Sequence, residues 1–219
     1  MGPADHHCHD GQARICTEKV RDRHDIVIVQ EKLDGSNVGV AKKDGRIHAL
    51  TRSGHAAQLS RFPQHRIFSD WVNRASQRER FDALLREGER VCGEWIYQAH
   101  GTMYELRHEP FVAFDIMVED ERLPFIDFRE RVGAYFVCAH ALSVGPPVSI
   151  AEAMRRIGEF GHHGAIEPVE GAVWRVERMG KVDFLAKYVR HDKADGKYLE
   201  SENQTGMPIL NKGAEKFEL

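Results

Sequence analysis

An amine attacks an electrophile only after losing its proton, so a lysine fit for covalent chemistry must sit where desolvation or nearby positive charge, a bound metal included, lowers its pKa. The sharpest candidate here is Lys32, within Glu31-Lys32-Leu33-Asp34-Gly35-Ser36-Asn37. It ends an apolar run that begins at Ile26 and stands immediately before a turn, a place where a side chain can be held in a cleft. Gly35 would let the backbone approach a phosphate closely. Taken alone, K-x-D-G arises by chance in roughly one chain of this length in twenty. A strand-ending turn with a solvated lysine explains it equally, and turn formation alone accounts for Asp34 and Asn37.

Further polar and aromatic residues recur downstream in a set order: Leu50-Thr51-Arg52-Ser53-Gly54, Cys92-Gly93-Glu94-Trp95, Phe111-Val112-Ala113-Phe114-Asp115-Ile116, Glu170-Gly171-Ala172-Val173 and Phe184-Leu185-Ala186-Lys187. Read singly, the charged ones are surface strand residues and Phe114 is core. His6-His7-Cys8-His9 with Cys16 invites a metal reading, but it matches no standard zinc spacing and reads equally as a polar lead-in. His162-His163 and Ala99-His100-Gly101-Thr102 read as loop residues.

The elements that must hold these residues are mostly strands. Ile26–Gln30 reads as a buried strand, and segments 37–41 and 47–50 flank the turn Lys43-Asp44-Gly45-Arg46 as a hairpin. Apolar residues at helical spacing predict one amphipathic helix over Phe68–Leu85, stopped by Glu87-Gly88. Strands follow at 90–96, 111–116, 171–176 and 182–188. Ser149–Phe160 reads as a helix, with Ser149 and Glu152 forming a capping box. Helices interrupt the strands without regular alternation, so the pattern predicts an α+β fold with largely antiparallel sheets and flanking helices. The tail after Arg190 carries Gly196, Gly206, Pro208 and Gly213 and reads as loosely structured.

Taken as an ordered set, these motifs resemble the covalent nucleotidyltransferases, the superfamily of ATP-dependent DNA and RNA ligases and mRNA capping enzymes. The chain looks closest to the RNA ligase branch. Lys32-Leu33-Asp34-Gly35 matches the nucleotidyl-lysine motif, and Asn37 an asparagine that RNA ligases often carry shortly after it. The arginine, glutamate and aromatic motifs are similar to the segments around Arg52, Glu94 and Phe114; Glu170-Gly171-Ala172-Val173 matches E-G-x-V. The last motif departs from the family pattern, because Leu185 stands where a first lysine is usual and only Lys187 carries over.

The resemblance implies a ligase adenylation domain, ATP-grasp-like in fold, with ATP as AMP donor and Mg2+ or Mn2+. It implies three transfers: lysine attacks the α-phosphate, AMP moves to a 5′-phosphate end, and a 3′-hydroxyl displaces AMP. Lys32 would be the nucleophile, with Lys187 and Asp34 completing the catalytic set. Glu31, Gly35, Asn37, Arg52, Glu94, Phe114 and Lys187 would bind the nucleotide, Arg52 through ribose or an incoming phosphate and Phe114 by stacking on adenine. Glu170 and Glu94 would serve the metal.

With 219 residues the chain is long enough for one self-sufficient domain, and the motifs divide it into a polar segment 1–25, an adenylyltransferase domain 26–190 and a tail 191–219. About thirty residues follow Lys187, too few for an OB domain of the DNA ligase or capping-enzyme kind. A net charge of −3 argues against non-specific wrapping of nucleic acid but leaves room for a local phosphate track. The expected partners are RNA ends or a nicked duplex, with no obligatory protein partner. No apolar run reaches membrane-spanning length and no secretion leader is present, so the expectation is a soluble cytoplasmic protein with Cys8, Cys16, Cys92 and Cys138 as free thiols. The alternatives are a DNA ligase adenylation domain, or a non-catalytic nucleotide- or RNA-binding module on the same scaffold.

Overall fold

Strand β1 (Asp25–Lys32) is buried almost throughout, with Val27, Ile28 and Val29 fully enclosed, because it lies inside a sheet covered on both faces. Its partners are β7 (Ala141–Gly145), β8 (Gly171–Arg178) and β9 (Lys181–Val189), in the order β7-β1-β8-β9. A second sheet holds β2 (Ser36–Lys43), β3 (Arg46–Thr51), β4 (Glu89–Trp95), β5 (Phe111–Val118) and β6 (Glu121–Arg122), in the order β3-β2-β4-β5-β6. Every ladder between these strands is antiparallel, and the fold is α+β as the pattern predicts. The structure is a computed structural model and describes residues 8–199, 201 and 206–217. Among them no helix is long and apolar enough to cross a membrane, and Cys8, Cys16, Cys92 and Cys138 are free thiols.

Period-two alternation in β4 decides what faces the site. Val91, Gly93 and Trp95 turn inward while Cys92 and Glu94 turn to the other face. The inward face packs on helices α2 (Pro63–Asn73) and α3 (Ala75–Leu84) through a cluster of Phe68, Trp71, Phe81, Trp95, Phe111 and Phe136. The single helix expected over Phe68–Leu85 is therefore two, broken where Arg74 takes φ −61° and ψ 142°. Ten residues of unbroken helix would leave Trp71 and Phe81 about 80° out of phase. The break lets their rings meet edge to face at 5.8 Å.

Helix α1 (Asp10–Thr17) and helix α4 (Phe125–Gly133) complete the flanking set, together with α5 (Ile150–Ile157). α5 is shorter than expected, and only half of its capping box forms. Ser149 Oγ accepts from Glu152 N at 3.2 Å, but the Glu152 carboxylate turns to Arg155 and Arg156, at 2.7 Å each. The stretch after Arg190, read as loose, is docked along much of its described length. Asn211 is buried, accepting from Tyr104 N (2.7 Å) and donating to Ile96 O (2.8 Å), and Ala99 N donates to Ile209 O (2.9 Å). One asparagine side chain thus supplies hydrogen bonds that the 96–106 loop lacks internally. Glycine and proline content did not reveal this.

Candidate active site

Strand register brings the dispersed motifs together. Lys32 at the end of β1 lies opposite Gly171 in β8, so Glu170 arrives beside it; Asn37 lies opposite Glu94, and Val173 opposite Lys187. Between the two sheets a cavity of about 520 Å³ is walled by Lys32, Asn37, Arg52, Glu94, Phe114 and Lys187. Glu31 contributes to the wall as well, and Leu185 fills the position that the final motif usually gives to a first lysine. Glu170 stands behind Lys32, whose Nζ donates to Glu170 Oε2 at 2.5 Å.

Besides Glu170, two expected residues, Asp34 and Gly35, do not line the cavity. Asp34 is buried and accepts from Gly101 N through Oδ2 at 2.8 Å, while its own N–H donates to Tyr104 Oη at 3.0 Å. Gly35 is a glycine because of β4: a Cβ there would lie 2.6 Å from Trp95 O. That close approach of two backbones explains the residue without any phosphate. Gly35 N does serve the site indirectly, donating to Glu94 Oε1 at 3.1 Å.

The electrostatics run opposite to the expectation of a depressed lysine. Burial pulls the Lys32 amine down, but Glu170, Glu94 and Asp34 more than offset it and hold its pKa above the ordinary value. Glu94 is pushed up to about 7 by burial, with Glu170 and Asp34 adding and Lys32 and the Gly35 N–H opposing. Without bound nucleotide, Lys32 is an ammonium tied to carboxylates.

Sequence reasoning missed the polar floor of the cavity. Arg175 is only 1% exposed, donating to Asp115 (2.7 Å), Glu177 (2.8 Å) and Leu123 O, and Arg122 holds the other Asp115 oxygen at 2.8 Å. An arginine inside the apolar run Gly171–Val176 was the available signal, since a guanidinium there must be paired. Of the N-terminal histidines and cysteines, His6 and His7 lie outside the described residues. Cys8 lines the cavity mouth, and Cys16 is buried with its thiol pushed up to about 12, chiefly by burial. Among the described residues no three His, Cys, Asp or Glu side chains converge to cage a metal.

Behind β1, Glu31 turns its buried carboxylate from the cavity to His162, accepting from its N at 2.8 Å. His162 stacks on His140 at 3.7 Å, and buried His163 accepts from His140 N through Nε2 and meets His108 Nε2 through Nδ1, both at 3.1 Å. Burial and the neighbouring histidines push His163 down to about 3. An unfolded histidine takes its proton near pH 6.5, so the unfolded chain binds protons that folded His163 refuses. The His163 contribution to stability is therefore complete above pH 6.5 and falls as pH drops toward 3, by at most about 1.4 kcal/mol per pH unit. Urea midpoints at pH 7.5 and 5 should fall less for His163→Gln than for the wild type; equal falls would dismiss the effect.

An RNA ligase family model matches residues 25–189, which contain every residue set out above as a nucleotide or metal contact. No curated protein matches the chain. Among solved structures, an archaeal ATP-dependent RNA ligase is 21% identical with a TM-score of 0.55, over 82% of this chain and 45% of that one. A mutant Naegleria gruberi RNA ligase with ATP and Mn is 18% identical with a TM-score of 0.57, over 82% of this chain and 51% of that one. The same organism's RNA ligase with PPi is 22% identical with a TM-score of 0.55, over 76% and 50%. These likenesses establish the fold, and the chain spans about half the length of the solved relatives it matches. With the family model covering most of its length, the chain belongs to the RNA ligase family.

Proposed function

We propose that this chain adenylylates Lys32 with ATP as the first step in joining an RNA 3′-hydroxyl to a 5′-phosphate. The observation that carries the reading is one amine, flanked by Glu170 and Glu94, opening on a cavity of nucleotide size whose wall also bears Phe114 and Lys187. The Lys32 nitrogen, once deprotonated, forms a bond to the α-phosphorus as the bond to the bridging oxygen breaks, and pyrophosphate leaves with the electron pair. AMP then passes to the 5′-phosphate of an RNA end, freeing Lys32, and the 3′-hydroxyl displaces it. Such transfers depend mainly on positioning and charge. Phe114 stacks on adenine, Asn37 and Arg52 hold ribose and phosphate, and Lys187 meets the phosphate charge.

The donor set fits a divalent ion that travels with the triphosphate better than a resident one: Glu94 and Glu170 offer carboxylates but complete no cage. Bound there, Mg2+ or Mn2+ would take up the carboxylate charge that otherwise keeps the proton on Lys32. The relative solved with ATP and Mn supports both ligands.

The test is incubation with α-labelled ATP and Mg2+, followed by denaturation and peptide mapping. Label on the Lys32 peptide is expected with ATP and not with GTP, and a nick with an RNA 3′-hydroxyl should be sealed in preference to an all-DNA nick. A competing reading, a nucleotide- or RNA-binding module without catalysis, draws on Leu185 in the final motif. Nucleotide binding with no covalent label would favour it, and better sealing of DNA would remove RNA from the proposal.

A further inference from the structure

The segment following β9 returns to the site from below. Arg190 N donates to Glu170 O (3.0 Å), Lys193 N to Arg190 O (3.3 Å), and Tyr198 N to His100 O (2.8 Å). This turn buries Lys193, whose side chain is 3% exposed, and sets its Nζ 2.8 Å from Asp34 Oδ2 and 3.2 Å from Glu170 Oε1. The other Glu170 oxygen is the one 2.5 Å from Lys32. Glu170 therefore hangs between two ammonium groups, one from β1 and one from a segment outside the family match.

Burying an ammonium is costly unless carboxylates meet it, and Lys193 Nζ meets two at ion-pair distance without an aligned hydrogen bond to either. Here the packing leaves the side chain little alternative. At Gly101 a Cβ would lie 3.0 Å from Lys193 Cε and 2.6 Å from Ala194 O, so the neighbouring loop closes directly over the lysine stem. Asp34, which lines no part of the cavity, gains a role from the same contact: it anchors the far side of the bridge. Arg190 lies nearby but is directed toward Asp192, at 3.7 Å. Removing the Lys193 charge would leave Asp34 and Glu170 as facing anions, and Glu170 would be pushed from its orientation.

We propose that Lys193 is a positioning residue of the Lys32 site: by bridging Asp34 and Glu170, it fixes the carboxylate that touches the reacting amine. The inference rests on the adenylylation reading for its kinetic consequence, and on geometry alone for its structural one.

Lys193→Met and Lys193→Arg should be compared with wild type for the rate of Lys32 adenylylation at saturating ATP, for half-saturating ATP, and for thermal midpoint. Lys193→Met is expected to be about 10- to 100-fold slower at unchanged half-saturating ATP, and Lys193→Arg to recover most of the rate. A purely structural role would lower the midpoint without slowing the folded protein, and that result overturns the inference. If Lys193→Met does not fold, Asp34→Asn removes the other arm of the bridge and should slow the reaction likewise; a wild-type rate there also overturns it. Failure of wild type to form any adenylate would refute the adenylylation reading instead. The crystal structure of the variant then decides the inference: Glu170 still in contact with Lys32 refutes it, and a displaced Glu170 supports it.

Discussion

Lys32→Ala and Lys32→Arg should both retain no AMP after denaturation, a loss of about 10³-fold or more. The pair separates two jobs of one side chain. As an ammonium, Lys32 neutralises part of a group of carboxylates, Glu170, Glu94 and Asp34. As a free amine, it is the nucleophile of the proposed reaction. Arginine keeps the charge and stays protonated throughout, so Lys32→Arg should fold and bind ATP yet form no bond to phosphorus. Alanine also strips Glu170 of its 2.5 Å partner, leaving it Lys193 alone, and should destabilise the fold in addition, by about 1 to 3 kcal/mol. Intact-mass measurement after incubation with ATP and Mg2+ checks the first effect, and urea titration the second. Adenylate at wild-type yield in Lys32→Arg would show that some other side chain is the acceptor and would end the proposed mechanism.

The contrast between a lysine expected to be depressed and one held above its ordinary pKa shows what linear sequence conveys. Lys32, Glu94, Phe114 and Glu170 stand out as candidates only through the ordered set of motifs that resembles a family; each local pattern alone reads as a surface charge or a core aromatic. What they do to one another was not legible, because it depends on register: Lys32 meets Glu170 only because β1 pairs with β8 with Lys32 opposite Gly171. Side chains outside recognisable runs were invisible for the same reason. Lys193 reads as one charge in a glycine-containing tail until the chain turns back on Glu170. The histidines at 108, 140, 162 and 163 are spread over three segments and meet only behind β1. The break at Arg74 answers to where Trp71 and Phe81 must point, a tertiary demand that helical spacing cannot report.

Gly171→Ala should both unsettle the fold and silence the site. A Cβ at Gly171 would lie 1.9 Å from Tyr188 O, 2.9 Å from Tyr188 C and 3.2 Å from Val189 Cα, where ordinary contact begins at 3.4 Å. All three atoms are β9 backbone, so no side-chain rotation relieves the clash, and β9 must move by about 1.5 Å or lose its pairing with β8. The cost expected is about 3 kcal/mol or more of stability. The catalytic effect follows from what flanks the glycine. Glu170 precedes it directly, and the strand that must yield carries Lys187. A displacement of that size beside Glu170 and Lys187 is expected to slow the proposed adenylylation about 100-fold in whatever fraction remains folded. Gly133→Ala supplies the control, since a Cβ there meets nothing within 4 Å; it should leave the rate unchanged and, at the end of a helix, stability unchanged or raised by up to about 1 kcal/mol. Were Gly171→Ala as stable and as fast as wild type, the β8–β9 contact would not be as tight as the structure has it, and the shared placement of Glu170 and Lys187 by that contact would fall with it.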